Sequence, residues 1–520
     1  MTSLPRDEVE LSLLAHAERL ESEEDLSVLP QDDLEEELKP HMKTPLSSRE
    51  KRAIFLLTAL FLSQGLPVVL ATGSLPFLLR KNLSYSQLAI FSLSSYPYSM
   101  KLLWSPIVDS VSMPSIGRRK SWILPLQLML GIVLLVLSFS INELMEEPAE
   151  HLYALTATFT LIIIMAATQV ALTRLLIGWA LKLLHESNRS YLSTCQSIGF
   201  TTGFLLSFTV FMALNSADFA QRWGIPQLTL RTYMRFCCAV SLSLVVWLLL
   251  EKEEKEDANE NVNIKSVYLT MWEICKLKHV QSLLLLHLFA FIGFQADSDV
   301  TSLKLVEKGL TQEFLSISVL IGFPFQILGS YLAGRWARGN KPLKAWMLAF
   351  WPRLAMAGAG ALIVWLFPGQ PIPAVFLCAI VAQGMLSTFA MTIQFGGMIS
   401  FHSRISDPLV GGTYMTLFAT FNNLGTTWPK FFVLRGVDMF TIAACNVQHT
   451  TLTKPIECVS QQGKAACTQS GGECVIERDG YYIISGICLA LGVLSVIFHM
   501  IPTARRLQVI PAEKWRVSSG

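Results

Sequence analysis

The chain has 520 residues, of which 52% are hydrophobic and 15% charged, and its mean hydropathy is +0.45. Soluble domains carry about 25% charged residues, so a soluble protein of this length is excluded. The net charge of +2 says nothing about partners, and no basic or aromatic patch marks a nucleic-acid-binding protein.

Residues 1–52 are polar and acidic, with Glu21, Glu23, Glu24, Asp25, Asp32, Asp33, Glu35, Glu36 and Glu37. They lack the basic start and early apolar core of a signal peptide. The expectation is a disordered acidic cytosolic tail, with or without a sorting signal.

A helix needs about 20 apolar residues to cross a bilayer. Candidate spans near this length are Ala53–Leu79, Ser86–Val108, Ser121–Ser140, Leu152–Ile177, Tyr191–Leu214 and the shorter Arg235–Leu250. After a charged break come Gln281–Ala296, Phe314–Trp336, Ala345–Phe367, Ile372–Phe401, Leu409–Leu434 and Tyr482–Ile501. None alternates as a barrel strand does. The expected fold is an all-α polytopic membrane protein with twelve transmembrane helices in two six-helix bundles. The bundles span 53–250 and 281–501. A cytosolic linker, 251–280, joins them, and residues 502–520 form a second cytosolic tail.

Charge sets the orientation. Arg118, Arg119 and Lys120 follow the second span; Arg335, Arg338, Lys341 and Lys344 follow the eighth. The loop after the third span carries only Glu143, Glu146, Glu147 and Glu150. Basic short loops stay in the cytosol, which places both termini there.

Cysteine gives a second indicator of sidedness. Of ten cysteines, Cys445, Cys458, Cys467 and Cys474 share one polar loop, 436–480. Four cysteines so clustered suggest two disulfides in an oxidising compartment. Zinc is the rival reading, but the loop has no CxxC pair and only His449 as a histidine. Span counting also puts this loop on the lumenal side. The sequon Asn82–Leu83–Ser84 lies on that side, and Asn188–Arg189–Ser190 on the cytosolic one.

The order Asp109, Gly117, Arg118, Arg119, Lys120 resembles the loop between helices two and three of major facilitator transporters. That resemblance implies a latch in which Asp109 pairs with Arg118 and Arg119. A wider set of motifs is similar to the acetyl-coenzyme A transporter family of the endoplasmic reticulum membrane. It comprises MKLLWSPIVDS (100–110), IGRRKSW (116–122), YLSTCQSIG (191–199), LKLVEKG (303–309), SDPLVGGTYMTL (406–417) and NNLGTTWP (422–429). The cysteine loop ending in Gly471–Cys474 and Asp479–Tyr482 fits too. The resemblance covers nearly all of the chain after residue 53. It implies transport of acetyl-CoA from cytosol to lumen, with no chemical transformation, no cofactor and no metal. The family's fourth span carries two aspartates in a shorter segment. Here Gln169 and Gly178 are separated by VALTRLLI, with Arg174 and neither acid. That departure implies either a variant with weakened transport or a misread stretch of sequence.

A coenzyme A site needs cations for its phosphates and aromatic faces for adenine. Lys101 and Trp104 in the second span, Arg353 in the ninth, and Trp428 and Lys430 in the eleventh supply both. Gln394, Tyr414, Asn422 and Asn423 add hydrogen-bonding groups inside spans. For each cation, snorkelling or pairing within the membrane stands against phosphate binding; for the amides, gluing helices together does. Lys304 reads as a solvated loop lysine, and Asp297 and Asp299 as helix-end acids or proton sites. A membrane acyltransferase would need a paired His287 or His402, and neither has an acid nearby in sequence. A scaffold that kept the fold, and a permease for another solute such as a sugar–peptide, remain alternatives.

Overall fold

A computed structural model describes residues 47–110, 120–171, 191–250, 264–336, 341–407, 411–446, 458–515 and 517. The first bundle contains α1 (Ser48–Arg80), α2 (Tyr85–Ser92), α3 (Ser105–Ser110), α4 (Lys120–Glu146), α5 (Leu152–Ala171), α6 (Tyr191–Phe204, continuing to Asn215) and α7 (Leu230–Leu250). A linker helix, α8 (Ile264–Lys276), meets α9 (Lys278–Phe289) at a bend of 86°. The second bundle continues with α10 (Ser302–Glu307), α11 (Gln312–Trp336), α12 (Leu343–Trp365), α13 (Ala374–Ile405) and α14 (Gly411–Phe440), and ends in α16 (Gly480–Leu507).

Among the described residues, 9 helices are long and apolar enough to cross a membrane, and the bent pair makes up to 10. The second and eleventh expected spans fall outside that set for physical reasons. The second is broken: α2 gives way to short 3-10 and α turns around Pro97 and Lys101–Leu103 before α3, which carries Pro106 in its first turn. Proline removes a backbone donor and its ring displaces the preceding turn. The eleventh, α14, is a continuous helix of 30 residues, but Asn422, Asn423, Thr426, Thr427 and Lys430 dilute its apolar character. The seventh runs past its expected end at Ala296, through 3-10 and π turns (Ile292–Phe294, Asp297–Thr301) into α10.

Ser47 starts α1: its hydroxyl accepts from the Glu50 amide, and the Glu50 carboxylate accepts from the Ser47 amide. Such a box satisfies two otherwise orphaned donors. Helices approach closely where glycine permits. Gly199 and Gly203 of α6 lie against the Thr58 and Leu62 carbonyls and Gly65 of α1; a Cβ there meets backbone. Dispersion over such close contacts holds helices together where lipid removes the hydrophobic drive.

The cysteine loop is a small lobe absent from the sequence reading. Strands β1 (Ile442–Asn446) and β2 (Glu473–Arg478) pair antiparallel, and α15 (Gln461–Gln469) lies between them in sequence. Its cysteines pair as Cys445–Cys467 and Cys458–Cys474, each with a Cα separation of 5.7 Å. With those sulfurs in disulfides, no thiolates remain for a metal.

Residues 111–119 and 172–190 lie outside the described set, and so does the side chain of Asp109. The expected latch of Asp109 with Arg118 and Arg119, and the altered fourth-span segment, therefore have no structural account here.

Candidate functional site

Breaks in three helices build a cleft between the bundles. Pro67 of α1 precedes a π turn, Leu70–Ser74, that supplies Ala71 and Thr72, with Pro76 just beyond it; α2 supplies Leu88, Phe91 and Ser92, followed by Ser94 and Ser95. The second bundle faces them with Asp299, Leu303, Lys430 and Leu434. Lys430 Nζ pairs with Asp299 Oδ1 at 3.2 Å. The Gln295 amide donates to Asp299 and, at 3.0 Å, to the Thr426 carbonyl. A lone charge in a membrane span is expensive, whereas a hydrogen-bonded pair is tolerable. The pair and the serine hydroxyls line a small cavity of about 20 Å³, room for a water-sized group in this closed form.

One end of this cleft is closed by polar contacts between the bundles. Arg80, at the end of α1, pairs with Glu307 at the end of α10 (3.0 Å). The Tyr85 hydroxyl donates to the same carboxylate at 2.9 Å, and Lys304 adds a third contact at 3.3 Å. Lys304 also pairs with Asp479 at 2.7 Å. The Ser86 amide, at the start of α2, donates to Asp438 of α14 at 2.6 Å. A third seam joins Ser216, past α6, to Glu313 of α11 at 3.2 Å, with Arg222 at 3.4 Å. All of these lie at the end that carries the cysteine lobe. Burial alone raises the Glu307 carboxyl, but Arg80, then Lys304, outweigh it and hold it below its ordinary value of 4.5.

The expected site residues divide among three places. Lys430 lines the cleft. Trp428 is a seam residue: its indole donates to the Leu288 carbonyl (2.8 Å), and its own carbonyl accepts from Tyr96 (3.2 Å). Asn422 and Asn423 are half-buried on the same helix, and the Asn423 carbonyl accepts from Thr426 and Thr427. Thr427 in turn contacts Ser99 of the other bundle at 2.7 Å. Lys101 sits in the broken second pass with its Nζ 5.3 Å from the Tyr98 ring centre, and no carboxylate pairs with it among the described residues. Trp104 nearby has a buried indole N–H with no hydrogen-bond partner among the described residues.

Arg353 and Gln394 are brought together inside the second bundle. Arg353 Nη1 donates to Gln394 Oε1 at 2.6 Å, and its guanidinium stacks 4.2 Å from the Phe294 ring centre. Asp297, which Gln383 holds at 3.1 Å, is close enough to balance the charge. This network is buried away from the cleft lining. Tyr414 is likewise placed elsewhere: its hydroxyl donates to the Trp515 carbonyl (2.7 Å) and accepts from the Val517 amide (3.2 Å). It anchors the C-terminal segment. Lys304 is not a solvated loop lysine; its side chain is 6% exposed and doubly paired. His287 and His402 meet each other, Nε2 to Nε2, at 2.8 Å, in the absence of a neighbouring acid among the described residues.

The sequence reading missed Arg80, Tyr85, Glu307 and Asp438. A faint signal existed: Arg80 and Glu307 are opposite charges that end apolar runs on the same face of the membrane. Nothing local tells which of several such ends meet.

Two helical bundles with a cavity between them, closed at one end by cross-bundle pairs, make a fold of the major facilitator type. The fold agrees with solved transporters. A bacterial homolog to the human lysosomal transporter Spinster, in an inward-facing, unoccupied form, superimposes with a TM-score of 0.61 at 14% identity, covering 92% of this chain and 100% of that one. A D-xylose–proton symporter matches with a TM-score of 0.55 at 13% identity, covering 86% and 98%. The family model described as acetyl-coenzyme A transporter 1 matches residues 53–259, 249–345 and 339–517. The chain belongs to that acetyl-coenzyme A transporter family, and is a transporter rather than an enzyme. Relatives include an uncharacterized protein of Schizosaccharomyces pombe, 35% identical over 92% of this chain and 91% of its own. An uncharacterized membrane protein of Saccharomyces cerevisiae is 33% identical over 91% and 98%. The anhydromuropeptide permease of Escherichia coli is 28% identical over 31% of this chain and 30% of its own.

Proposed function

We propose that this protein carries acetyl-CoA from the cytosol into the lumen of the endoplasmic reticulum by alternating access, supplying lumenal acetylation. The observation that carries the reading is the family match along residues 53–517. The chain makes twelve passes, with rigid bodies at 53–250 and 281–501, and both termini and the basic loops lie in the cytosol. The disulfide-paired lobe then falls in the oxidising lumen, in accord with its chemistry. The cross-bundle pairs sit at that lumenal end, so the form described is closed to the lumen. Asp109, Arg118 and Arg119 latch the opposite end when the cycle reverses.

Lys430 in the cleft and Lys101 beside the broken second span hold phosphates of the substrate; Trp104 and Trp428 offer ring faces to its adenine. Uptake of labelled acetyl-CoA into proteoliposomes tests the whole reading. Saturable uptake that unlabelled acetyl-CoA suppresses supports it. Uptake equal to empty vesicles, with a sugar–peptide taken up instead, replaces it by the permease alternative. In the same assay, exchanging residues 170–177 for a shorter two-aspartate segment should raise the rate, because an arginine in an apolar transmembrane stretch costs up to about 2.5–3.5 kcal/mol unless it is paired.

A further inference from the structure

Helices α11, α12 and α13 enclose a groove with no part in the cleft between the bundles. Its floor is small: Ala345, Ala349 and Ala390 are all under a tenth exposed. Its walls are large and outward-facing, with Trp336, Leu348 and Leu386 at 51%, 67% and 54% exposure. Pro352, Met356, Phe389 and Ile393 complete an apolar lining. Among the described residues, the only charged ones on it are Lys341 and Lys344, both exposed, and neither forms an ion pair with a described residue.

The charges are all at one mouth. Lys341 precedes α12, Lys344 is in its first turn, and Met356 lies farther along the same helix. At 1.5 Å per residue, Leu343 to Met356 is about 20 Å, the length of an extended acyl chain of some sixteen carbons. A groove floored by alanine forfeits dispersion contacts unless something fills it, and an apolar lining offers water no partners. An occupant that satisfies both ends has an anionic head and a long apolar tail, and lies with its head at the membrane face.

We propose that this groove binds one acyl chain of an anionic glycerophospholipid, with the lipid phosphate between Lys341 and Lys344. The site is independent of the transported solute. It draws on the leaflet at the termini end, where the lysines sit at headgroup depth.

Trp336 in the wall provides the test. The purified full-length protein is mixed, in detergent micelles, with phosphatidylglycerol or phosphatidylcholine carrying brominated acyl chains. Quenching assigned to Trp336 is the difference between the native protein and Trp336→Phe. Each lysine near an anionic head contributes about fivefold in binding. Phosphatidylglycerol should therefore half-saturate at roughly 25-fold lower mole fraction than phosphatidylcholine. Lys341→Gln with Lys344→Gln, both on the surface, should bring the two lipids together. Equal quenching by both lipids in the native protein overturns the proposal. So does a phosphatidylglycerol preference that survives the double substitution. A brominated free fatty acid that binds as tightly as phosphatidylglycerol also overturns it, because the site then reads a carboxylate and not a phosphodiester.

Discussion

The two ends of this transporter are built differently. At the end with the cysteine lobe, the bundles touch through ion pairs and hydrogen bonds between residues hundreds of positions apart: Arg80 with Glu307, Ser86 with Asp438, Ser216 with Glu313. At the end with the termini, the described contacts include the Tyr268 hydroxyl of α8 donating to the Leu103 carbonyl, and Leu102 packed among apolar side chains of the second bundle. The first end is held by paired charge, and a covalently cross-linked lobe adds Asp479 to that network through Lys304. At the second, Lys341 and Lys344 are exposed and form no ion pair with a described residue. The lesson is that closure at a membrane-protein end depends on a few charges placed where water is thin. Glu307, Asp438 and Glu313 each meet a partner on the opposite bundle, so small changes there shift the whole equilibrium.

The largest expected effect is on the lobe. Replacing Cys458 and Cys474 by serine opens a cross-link spanning 16 residues, worth about 3 kcal/mol for a loop of that size. The β1–β2 pair should lose protection in amide exchange while the membrane helices keep theirs. A lobe that stays protected would show that the strands hold without the cross-link.

Next comes Glu307→Gln, which removes the charge that meets Arg80, Lys304 and Tyr85 together. Part-buried ion pairs with shared partners cost about 1–3 kcal/mol to break. A cysteine introduced at Thr72, which lines the cleft, should then label from the lobe side roughly ten- to a hundredfold faster. Asp109→Asn should act in the opposite sense, exposing the cleft from the termini side. If both substitutions open the same side, the contrast between the ends fails.

Acid should reproduce the Glu307 effect. The carboxyl is held below 4.5 in the folded protein by Arg80 and Lys304, so its contribution is complete above the unfolded value. It is lost as pH falls through the depressed folded value. Labelling at position 72 should rise only below pH 4.5, and Glu307→Gln should flatten that rise.

Lys101→Ala should weaken acetyl-CoA binding about tenfold or more, and binding of a dephospho analogue less, as expected for a lost charged hydrogen bond of 1.5–3 kcal/mol. Arg353→Ala separates from it: with Gln394 as its partner inside the bundle, its loss should lower the melting temperature and affect both ligands alike. The smallest effect belongs to Arg222→Ala. That side chain is 68% exposed, and exposed pairs contribute about 0–1 kcal/mol. Labelling at position 72 should stay within a few-fold of the native rate.

Much of the architecture is legible in the sequence because lipid enforces it. Backbone polar groups in a bilayer must be satisfied within the helix, so apolar runs of about 20 residues translate directly into helices. The spans at Leu152, Tyr191 and Gln312–Trp336 begin or end within a few residues of their apolar runs. That the four clustered cysteines form two disulfides was readable too, but four cysteines allow three connectivities, and only the fold selects Cys445–Cys467 and Cys458–Cys474. The second and seventh passes were less so. Their 3-10 and π turns follow from proline positions and from neighbours such as Gly492 against Gly293, which periodicity does not encode.

The sequence by itself determined that the chain is a polytopic helical membrane protein, where its basic loops and cysteines fall, and which family its motifs resemble. Only the tertiary structure decided partners. Arg353 and Lys430 look alike in sequence, each a cation after a Trp–Pro step. Folding buries the first against Phe294 and Gln394 and puts the second on the cleft beside Asp299. The reason is rotational. A helix turns about 100° per residue, so one or two residues of π or 3-10 winding in a neighbouring helix decide which side chain faces the cleft. That winding is set by packing between distant segments, and no local pattern records it.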